Sequence, residues 1–242
     1  MQLLVTRPAD QSAKLVQSMQ DLGHDVKFSP LLEIVYVSAP VPDLRDIQAL
    51  VFTSSYGVRG FANLHENTPL GDMAVFAVGQ STELKARETG FSRVHAGAND
   101  AVSLVEVIKG HFHTDEGKIL YIRGMHVAVD LKEQLEAEGY RVRQQIVYEA
   151  RCAKSFSPEV LPCIIQETLE GVILLSQRTA RVFVNLVEQV ENQEYIQSLK
   201  YYCLSRKIAD ELSMINPSQV FIPEIPNLDE LIKLIKDFGT IE

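Results

Sequence analysis

Hydroxyl, guanidinium and glycine residues follow the apolar segments of this sequence at regular places, where they suit the binding of anionic ligand groups. Side-chain hydroxyls, Arg and the free backbone N–H groups of helix starts all donate hydrogen bonds to carboxylates or phosphates. A structural explanation stands beside this one, because Ser and Thr also cap helices and Arg forms surface ion pairs. The sequence pattern leaves both open. The candidates are Arg7, Thr53, Ser54, Ser55, Gly79, Thr82, Arg123, Gly124, Ser176, Gln177 and Ser205.

Recognised motifs for covalent or nucleotide chemistry are not found in the sequence. It contains no GxSxG nucleophile setting and no GxxxxGK[ST] phosphate loop, and the GQST segment at Gly79 lacks the further glycines of a dinucleotide fingerprint. Cys152, Cys163 and Cys203 form no CxxC pair, so neither a disulfide framework nor a zinc site is indicated. We expect the three cysteines to be small buried side chains.

Tyr148 lies in the apolar segment IVYEA, which predicts a strand. Alternation along a strand turns this ring either into a core or toward a cleft, and the residues alone favour the core.

The elements that position the candidates begin with a strand–helix–strand segment that occurs twice. Residues 3–36 predict a strand, a helix and a second strand running from Val26 to Val37, and residues 119–150 predict the same order. An Arg follows the first strand and a Gly ends the helix in both copies. The separation from Arg to Gly is sixteen in each, Arg7 to Gly23 and Arg123 to Gly139.

Three further strand–helix units follow the same order in both halves. They pair residues 51–61 with 172–183, 74–90 with 201–213, and 97–108 with 225–235. Strands that alternate with helices predict parallel sheets covered on both faces, with ligands bound beyond the carboxyl ends of the strands. We therefore predict that the candidates lie at those ends.

Composition excludes several classes of protein. With 242 residues, 46% of them hydrophobic and 23% charged, the chain is predicted to fold as two globular domains. The net charge of −9 opposes binding to nucleic acid. The first residues lack the apolar core of a signal peptide, and no apolar run has membrane-spanning length, so we expect a cytoplasmic protein without membrane contact.

Five segments resemble one known family in their order along nearly the whole chain. LLVTRP, VFTSS, FAVGQST, ILYIRG and IVYE follow one another as in the uroporphyrinogen-III synthases. The second half departs from the family pattern, because LLSQ at Leu175 replaces FTS and Ile208 stands where the family has threonine. Ile208 cannot donate a side-chain hydrogen bond, so it is not among the candidates.

The resemblance implies an α/β fold with two similar Rossmann/flavodoxin-like parallel-sheet domains. It implies a two-stranded extended linker between them and an inter-domain cleft. Domain 1 then comprises residues 1–36 and 150–242. Domain 2 comprises residues 37–149, with 31–37 and 145–150 as the connecting strands.

The resemblance also implies an activity. Family members close the linear tetrapyrrole hydroxymethylbilane into uroporphyrinogen III, losing water and inverting ring D through a spiro intermediate, without cofactor or metal, in haem-type tetrapyrrole biosynthesis. Six of the candidates match family positions around the cleft, and Arg7 in the TRP motif is an addition to them. The six are Thr53, Ser54, Gly79, Thr82, Arg123 and Ser176. Tyr148 matches a tyrosine proposed to assist loss of the hydroxyl as a general acid.

The expected partners are hydroxymethylbilane as substrate and, transiently, hydroxymethylbilane synthase, with the chain itself a monomer. The alternative from another class is a two-lobed module that binds a small anion without chemistry, which a duplicated α/β fold equally permits. The order of the motifs favours the enzyme. A nucleotide-dependent transferase would need a phosphate loop, which the sequence lacks.

Overall fold

The computed structural model divides into two compact units. Unit 1 comprises Met1–Glu33 and Arg151–Glu242, and unit 2 comprises Ile34–Ala150. The domain boundaries implied by the resemblance, between residues 36 and 37 and between 149 and 150, remain a prediction about folding units. The residues that the structure describes are 1–8, 11–65, 72–98, 101–127 and 129–239.

Strands and helices alternate along most of the described chain. The strands are β1 (Gln2–Val5), β2 (Asp25–Phe28), β3 (Leu32–Tyr36), β4 (Ile47–Phe52), β5 (Ala74–Val78), β6 (Arg93–Ala98), β7 (Lys118–Gly124), β8 (Arg141–Cys152), β9 (Gly171–Leu174), β10 (Lys200–Cys203) and β11 (Val220–Phe221). The helices are α1 (Ala13–Asp21), α2 (Ser55–Leu64), α3 (Gln80–Glu88), α4 (Ala101–Lys109), α5 (Leu131–Ala137), α6 (Leu161–Ile165), α7 (Gln177–Val187), α8 (Gln193–Ser198), α9 (Arg206–Ala209) and α10 (Leu228–Gly239).

The two sheets share one strand order. Unit 1 has β11-β10-β9-β1-β2, and the sheet of unit 2 has β6-β5-β4-β7-β8, with β3 added beyond β8. Neighbours within each five-strand series are parallel. The predicted α/β class with parallel sheets is therefore confirmed. The repeat is also present in the fold, since β1 and β2 of unit 1 occupy the places of β7 and β8 in unit 2.

Apolar residues fill both faces of each sheet. In β4, Leu50 and Phe52 belong to one core cluster, whereas Ala49 and Val51 belong to another. Successive side chains of a strand point to opposite faces, so a continuous apolar run is what a sheet covered on both sides requires. The same division occurs in β1 of unit 1.

The second predicted strand, Val26 to Val37, is not continuous. It is divided into β2 and β3, and Pro30 between them lacks the N–H that a central strand would use. The Ser29 hydroxyl accepts from the Ser157 N–H at 2.8 Å. Beyond the break, Ala153 donates to the Leu31 carbonyl and Val37 to the Val147 carbonyl, both at 3.0 Å, so β3 and β8 run antiparallel. The break therefore lies where the chain leaves one sheet for the other.

The expectation that all three cysteines are buried holds fully for only one of them. Cys203 is buried in β10 and Cys163 is half-buried, but Cys152, the last residue of β8, is exposed. In the described part of the chain, no helix combines the length and the apolar character that a membrane span needs.

Candidate active site at the strand ends

The carboxyl ends of three strands meet at one edge of the unit 2 sheet. Phe52, the last residue of β4, pairs with Ala77 of β5 on one side and with Ile122 of β7 on the other. The residues that follow these positions therefore lie along the same edge. They include Thr53, Ser54, Gly79, Arg123 and Gly124, as the sequence predicts.

Thr53 contacts a tyrosine that the sequence did not single out. Its Oγ1 lies 3.3 Å from the hydroxyl of Tyr121, which is 1% exposed. Burial raises the pKa of Tyr121, while the hydrogen bond with Thr53 and the charge of Arg123 lower it in part. The phenol therefore stays protonated near neutral pH. Tyr121 precedes Arg123 by two residues in β7, so strand alternation was the signal that could have found it.

Arg123 carries a buried nitrogen without a partner. Its side chain is half-buried, and its Nε makes no hydrogen bond to any residue the structure describes. A buried donor left unsatisfied costs about 1–3 kcal/mol, more when the group is charged. A carboxylate that bound here would satisfy this nitrogen with a charge-assisted hydrogen bond.

Ser54 caps α2. Its backbone is extended, and its Oγ accepts from the Tyr56 N–H at 3.2 Å. Ser55 is the first residue of the helix and is buried. The helix-capping explanation thus applies to Ser54, although its own O–H stays available as a donor.

Gly79 and Thr82 form the start of α3. Gly79 has a φ of +76°, in the left-handed region that favours glycine, and nothing lies within 4 Å of the place of a Cβ. Its carbonyl accepts from the N–H groups of Thr82 and Glu83, each at 3.2 Å. Thr82 is buried. Glycine is therefore needed at position 79 for its conformation.

Tyr148 belongs to β8, and an irregularity in that strand places it beside the last residue of β7. Arg123 pairs with Ile146 and Gly124 with Tyr148, so Val147 is an extra residue on the β8 side. Val147 and Tyr148 pack against the same core cluster, which regular alternation would forbid. The Tyr148 ring is half-buried, and no described residue hydrogen-bonds to its hydroxyl.

Unit 1 has its own strand-end edge. Val5 of β1 pairs with Ile173 of β9, and Cys203 of β10 pairs with Leu174. Arg7 follows β1, and its Nε donates to the Gln11 side chain at 2.9 Å. Two of the remaining candidates on this edge, Ser176 and Gln177, follow β9.

The serines of unit 1 differ in their contacts. Ser176 caps α7, accepting from the Thr179 N–H at 3.1 Å. Ser205 has the extended backbone of a cap before α9, but its side chain makes no capping hydrogen bond. Gln177 donates to Glu211 at 3.1 Å. Ile208 is 5% exposed and belongs to the core, in keeping with its omission from the candidates.

Metal-binding side chains do not cluster in the described ranges, where no group of three His, Cys, Asp or Glu could hold an ion.

Comparisons with known proteins agree with the motif order. Residues 13–233 match the family model of uroporphyrinogen-III synthase HemD. The porphyrin biosynthesis protein HemD of Ruminiclostridium josui is 21% identical over 262 residues, an alignment that covers 98% of this chain and 48% of that protein. The chain thus spans about half the length of this curated relative.

Solved structures of low sequence identity share the fold. The uroporphyrinogen-III synthetase of Helicobacter pylori superposes with a TM-score of 0.67 at 18% identity, covering 98% of this chain and 99% of that one. A mutant uroporphyrinogen III synthase of Thermus thermophilus gives 0.58 at 17% identity, covering 99% and 97%. Since the family model extends over most of the sequence, the chain belongs to the uroporphyrinogen-III synthase family.

Proposed function

We propose that this chain closes hydroxymethylbilane into uroporphyrinogen III, with loss of one water and inversion of ring D. The observation that carries the proposal is the group at the unit 2 edge, where Arg123 has an unsatisfied Nε and the Tyr148 hydroxyl has no described partner. Gly124, the residue after Arg123, pairs with Tyr148 across the strands, so both residues lie at the same strand ends, and the charge of Arg123 lowers the pKa of Tyr121 in part. A carboxylate-bearing substrate with a leaving hydroxyl is complementary to such a group.

In this proposal Tyr148 acts as the general acid. Its phenol donates a proton to the substrate hydroxyl as the C–O bond breaks, so that the hydroxyl leaves as water. The terminal pyrrole then loses its N–H proton to the phenolate and becomes an azafulvene. The azafulvene carbon then bonds to the substituted carbon of ring D, and the resulting spiro intermediate fragments and recloses. Assistance of this kind contributes ~10²–10⁴-fold. The protein otherwise has to hold the flexible linear tetrapyrrole in the geometry that closes to the type III isomer, and this needs no cofactor or metal.

Substrate binding is assigned to the strand-end donors of both units. The substrate carries eight carboxylates, and hydroxyls, Arg side chains and backbone N–H groups suit them. The capping serine Ser54 keeps an O–H to donate. The Ser176 hydroxyl shares a hydrogen bond with the Thr179 hydroxyl at 2.7 Å, and it would exchange that bond for one to the substrate. The other proposed contacts are Arg7, Thr53, Ser55, Gly79, Thr82, Arg123, Gly124, Gln177 and Ser205.

The proposal extends to partners and location. We propose a cytoplasmic monomer that contacts hydroxymethylbilane synthase transiently, because the substrate closes by itself to the type I isomer once released. Sedimentation of the purified chain alone measures whether it is a monomer, and sedimentation with that synthase measures whether the two bind.

The deciding experiment supplies freshly made hydroxymethylbilane and resolves the product isomers. We expect type III product above a protein-free control, whereas exclusive type I product refutes the activity and favours a binding module. Arg123→Gln should lower the yield of type III. Arg141→Gln is the matched control, because Arg141 is an exposed residue at the opposite, amino-terminal end of the strands in the same sheet. It should keep the wild-type yield.

A further inference from the structure

The ring of Tyr148 lies directly on the backbone of Gly124. A Cβ placed on Gly124 would be 2.6 Å from Cζ, 2.8 Å from Cε2 and 2.9 Å from the hydroxyl of Tyr148. Ordinary van der Waals contacts of a Cβ begin at 3.4 Å. Gly124 does not have a positive φ, so glycine is not required there by conformation. What excludes a side chain at position 124 is the phenol itself.

The extra residue in β8 brings the ring to this place. Because Val147 is inserted between the partners of Arg123 and Gly124, Tyr148 becomes the direct neighbour of Gly124. The Met125 N–H donates to the Tyr148 carbonyl at 2.8 Å, which continues the contact past the end of β7. Bulges of this kind re-aim a side chain and occur often beside active sites.

Helix α2 supplies a second contact to the ring. The ring centroids of Tyr56 and Tyr148 are 5.8 Å apart, and the angle between the ring planes is 50°. Two glycines let α2 approach the sheet, because a Cβ on Gly60 would be 2.7 Å from Val147 and one on Gly57 would be 3.3 Å from the Ile122 carbonyl. The Ser54 cap holds the first turn, where Tyr56 lies.

We propose that Gly124 is a positioning residue, which sets the direction of the Tyr148 phenol toward the substrate. The inference rests on the proposed function, in which Tyr148 assists loss of the hydroxyl. Among the described residues none hydrogen-bonds to that phenol, so packing alone determines where it points. An aligned donor in an active site depends on such packing, since a displacement of an ångström removes much of its effect.

The test is a double-mutant cycle on Gly124→Ala and Tyr148→Ala, with kcat and KM measured for type III formation. In the wild-type background, Gly124→Ala should lower kcat by about tenfold or more, because the methyl group displaces the general acid. It should change KM little, because Ala keeps the backbone groups through which position 124 contacts the substrate. In the Tyr148→Ala background it should lower kcat no further, because the ring that the methyl would meet is gone. Gly110→Ala is the matched control, since its Cβ meets only ordinary contacts from 3.6 Å.

Equal losses in both backgrounds would overturn the proposal, because Gly124 would then act independently of the ring. Thermal unfolding of all variants shows whether a loss comes from misfolding, and the double variant has no clash. The ¹⁹F NMR signal of fluorotyrosine at position 148 reports the ring directly. We expect Gly124→Ala to shift it and Gly110→Ala to leave it unchanged.

The same signal separates the two proposals. If the wild-type protein forms no type III product, the proposed function fails, and the ¹⁹F shift still decides whether Gly124 places the ring. An unshifted signal, or a shifted one with wild-type kcat, overturns the positioning role.

Discussion

Side-chain hydroxyls at the strand ends serve different purposes in this protein. Ser54 and Ser176 accept hydrogen bonds from helix N–H groups, whereas Thr53 pairs with the Tyr121 phenol. The Tyr148 hydroxyl has neither kind of partner among the described residues. A hydroxyl that no hydrogen bond within the described fold employs is available as a donor to a ligand.

Removing the hydroxyl of Tyr148 should affect rate without affecting stability. Tyr148→Phe keeps the ring on Gly124 but removes the donor, so type III formation should slow by up to ~10²–10⁴-fold without being abolished. Tyr140→Phe is the opposite case, because its hydroxyl donates to the Phe112 carbonyl at 2.7 Å. It should lower stability and keep the rate. Wild-type turnover and isomer ratio in Tyr148→Phe would remove Tyr148 from the mechanism.

The cysteines should differ in their reaction with iodoacetamide. Cys152 is exposed, whereas Cys203 is buried and burial raises its pKa to about 12. Only the thiolate reacts, so the folded protein should be alkylated at Cys152 and not at Cys203. Peptide mass spectrometry measures the two sites, and protein unfolded in urea should be modified at both. Equal labelling of the two in folded protein would contradict the burial of Cys203.

At the scale of elements, an extended serine precedes two helices of unit 1 but makes a capping hydrogen bond at only one of them. Ser176 and Ser205 both precede a helix at the strand-end edge of unit 1, and both have extended backbones. Only Ser176 makes the capping hydrogen bond. The same residue type in the same local setting therefore contributes differently to its helix.

The two serines allow a matched stability experiment. Ser176→Ala should lower the free energy of unfolding by ~1 kcal/mol, because a helix N–H loses its acceptor. Ser205→Ala removes no capping bond and should cost clearly less. Urea unfolding followed by circular dichroism gives both values. If the two substitutions cost the same, the difference in capping does not hold in solution.

At the scale of the whole molecule, the two units differ in how the chain builds the same sheet order. Unit 2 is one continuous segment, Ile34–Ala150, whereas unit 1 is assembled from two separate segments. Unit 2 also has core clusters on both faces of its own sheet. A continuous segment with its own core is expected to fold by itself.

Residues 34–150 expressed alone should therefore fold. We expect a cooperative urea transition and dispersed amide signals in the NMR spectrum. The matched control is residues 151–242, which lack β1 and β2 of unit 1 and should not fold. A disordered 34–150 fragment would contradict the division into these units and the predicted domain 2.

Stability should decline at alkaline pH. Burial raises the pKa of several groups in the folded state, to about 12 for Tyr195 and Tyr202, from the ordinary 10.0. Between pH 10 and 12 the unfolded chain loses these protons while the folded protein keeps them, so the free energy of unfolding falls as pH rises. At pH values below the ordinary pKa values, these groups make their full contribution to the free energy of unfolding. The other groups raised in this way are Tyr121, Tyr140, Tyr201 and Cys203.

Urea unfolding at pH 8 to 12 measures this dependence. Tyr202→Phe should flatten it, and it costs little else because the one hydrogen bond of the Tyr202 hydroxyl to a described residue is the weak one to the Met1 sulfur, at 3.9 Å. A free energy of unfolding that stays constant up to pH 12 would be inconsistent with the burial of these phenols.

The sequence by itself determined the alternation of strands and helices and the strand-end location of the candidates. Apolar periodicity distinguishes strands from helices, and successive parallel strands must end at one edge of their sheet. Thr53 and Arg123 could therefore be placed together although 69 residues follow Thr53 before Arg123 is reached along the chain. The order of short motifs was sufficient to indicate the family.

Tertiary structure alone decided which way Tyr148 points and why Gly124 is glycine. A one-residue insertion reverses the side-chain alternation of a strand, and IVYEA does not reveal that Val147 is the extra residue. The contact between the hydroxyls of Tyr121 and Thr53 was hidden in the same way. Each depends on space and hydrogen-bonding partners supplied by residues distant in sequence, which local periodicity does not encode.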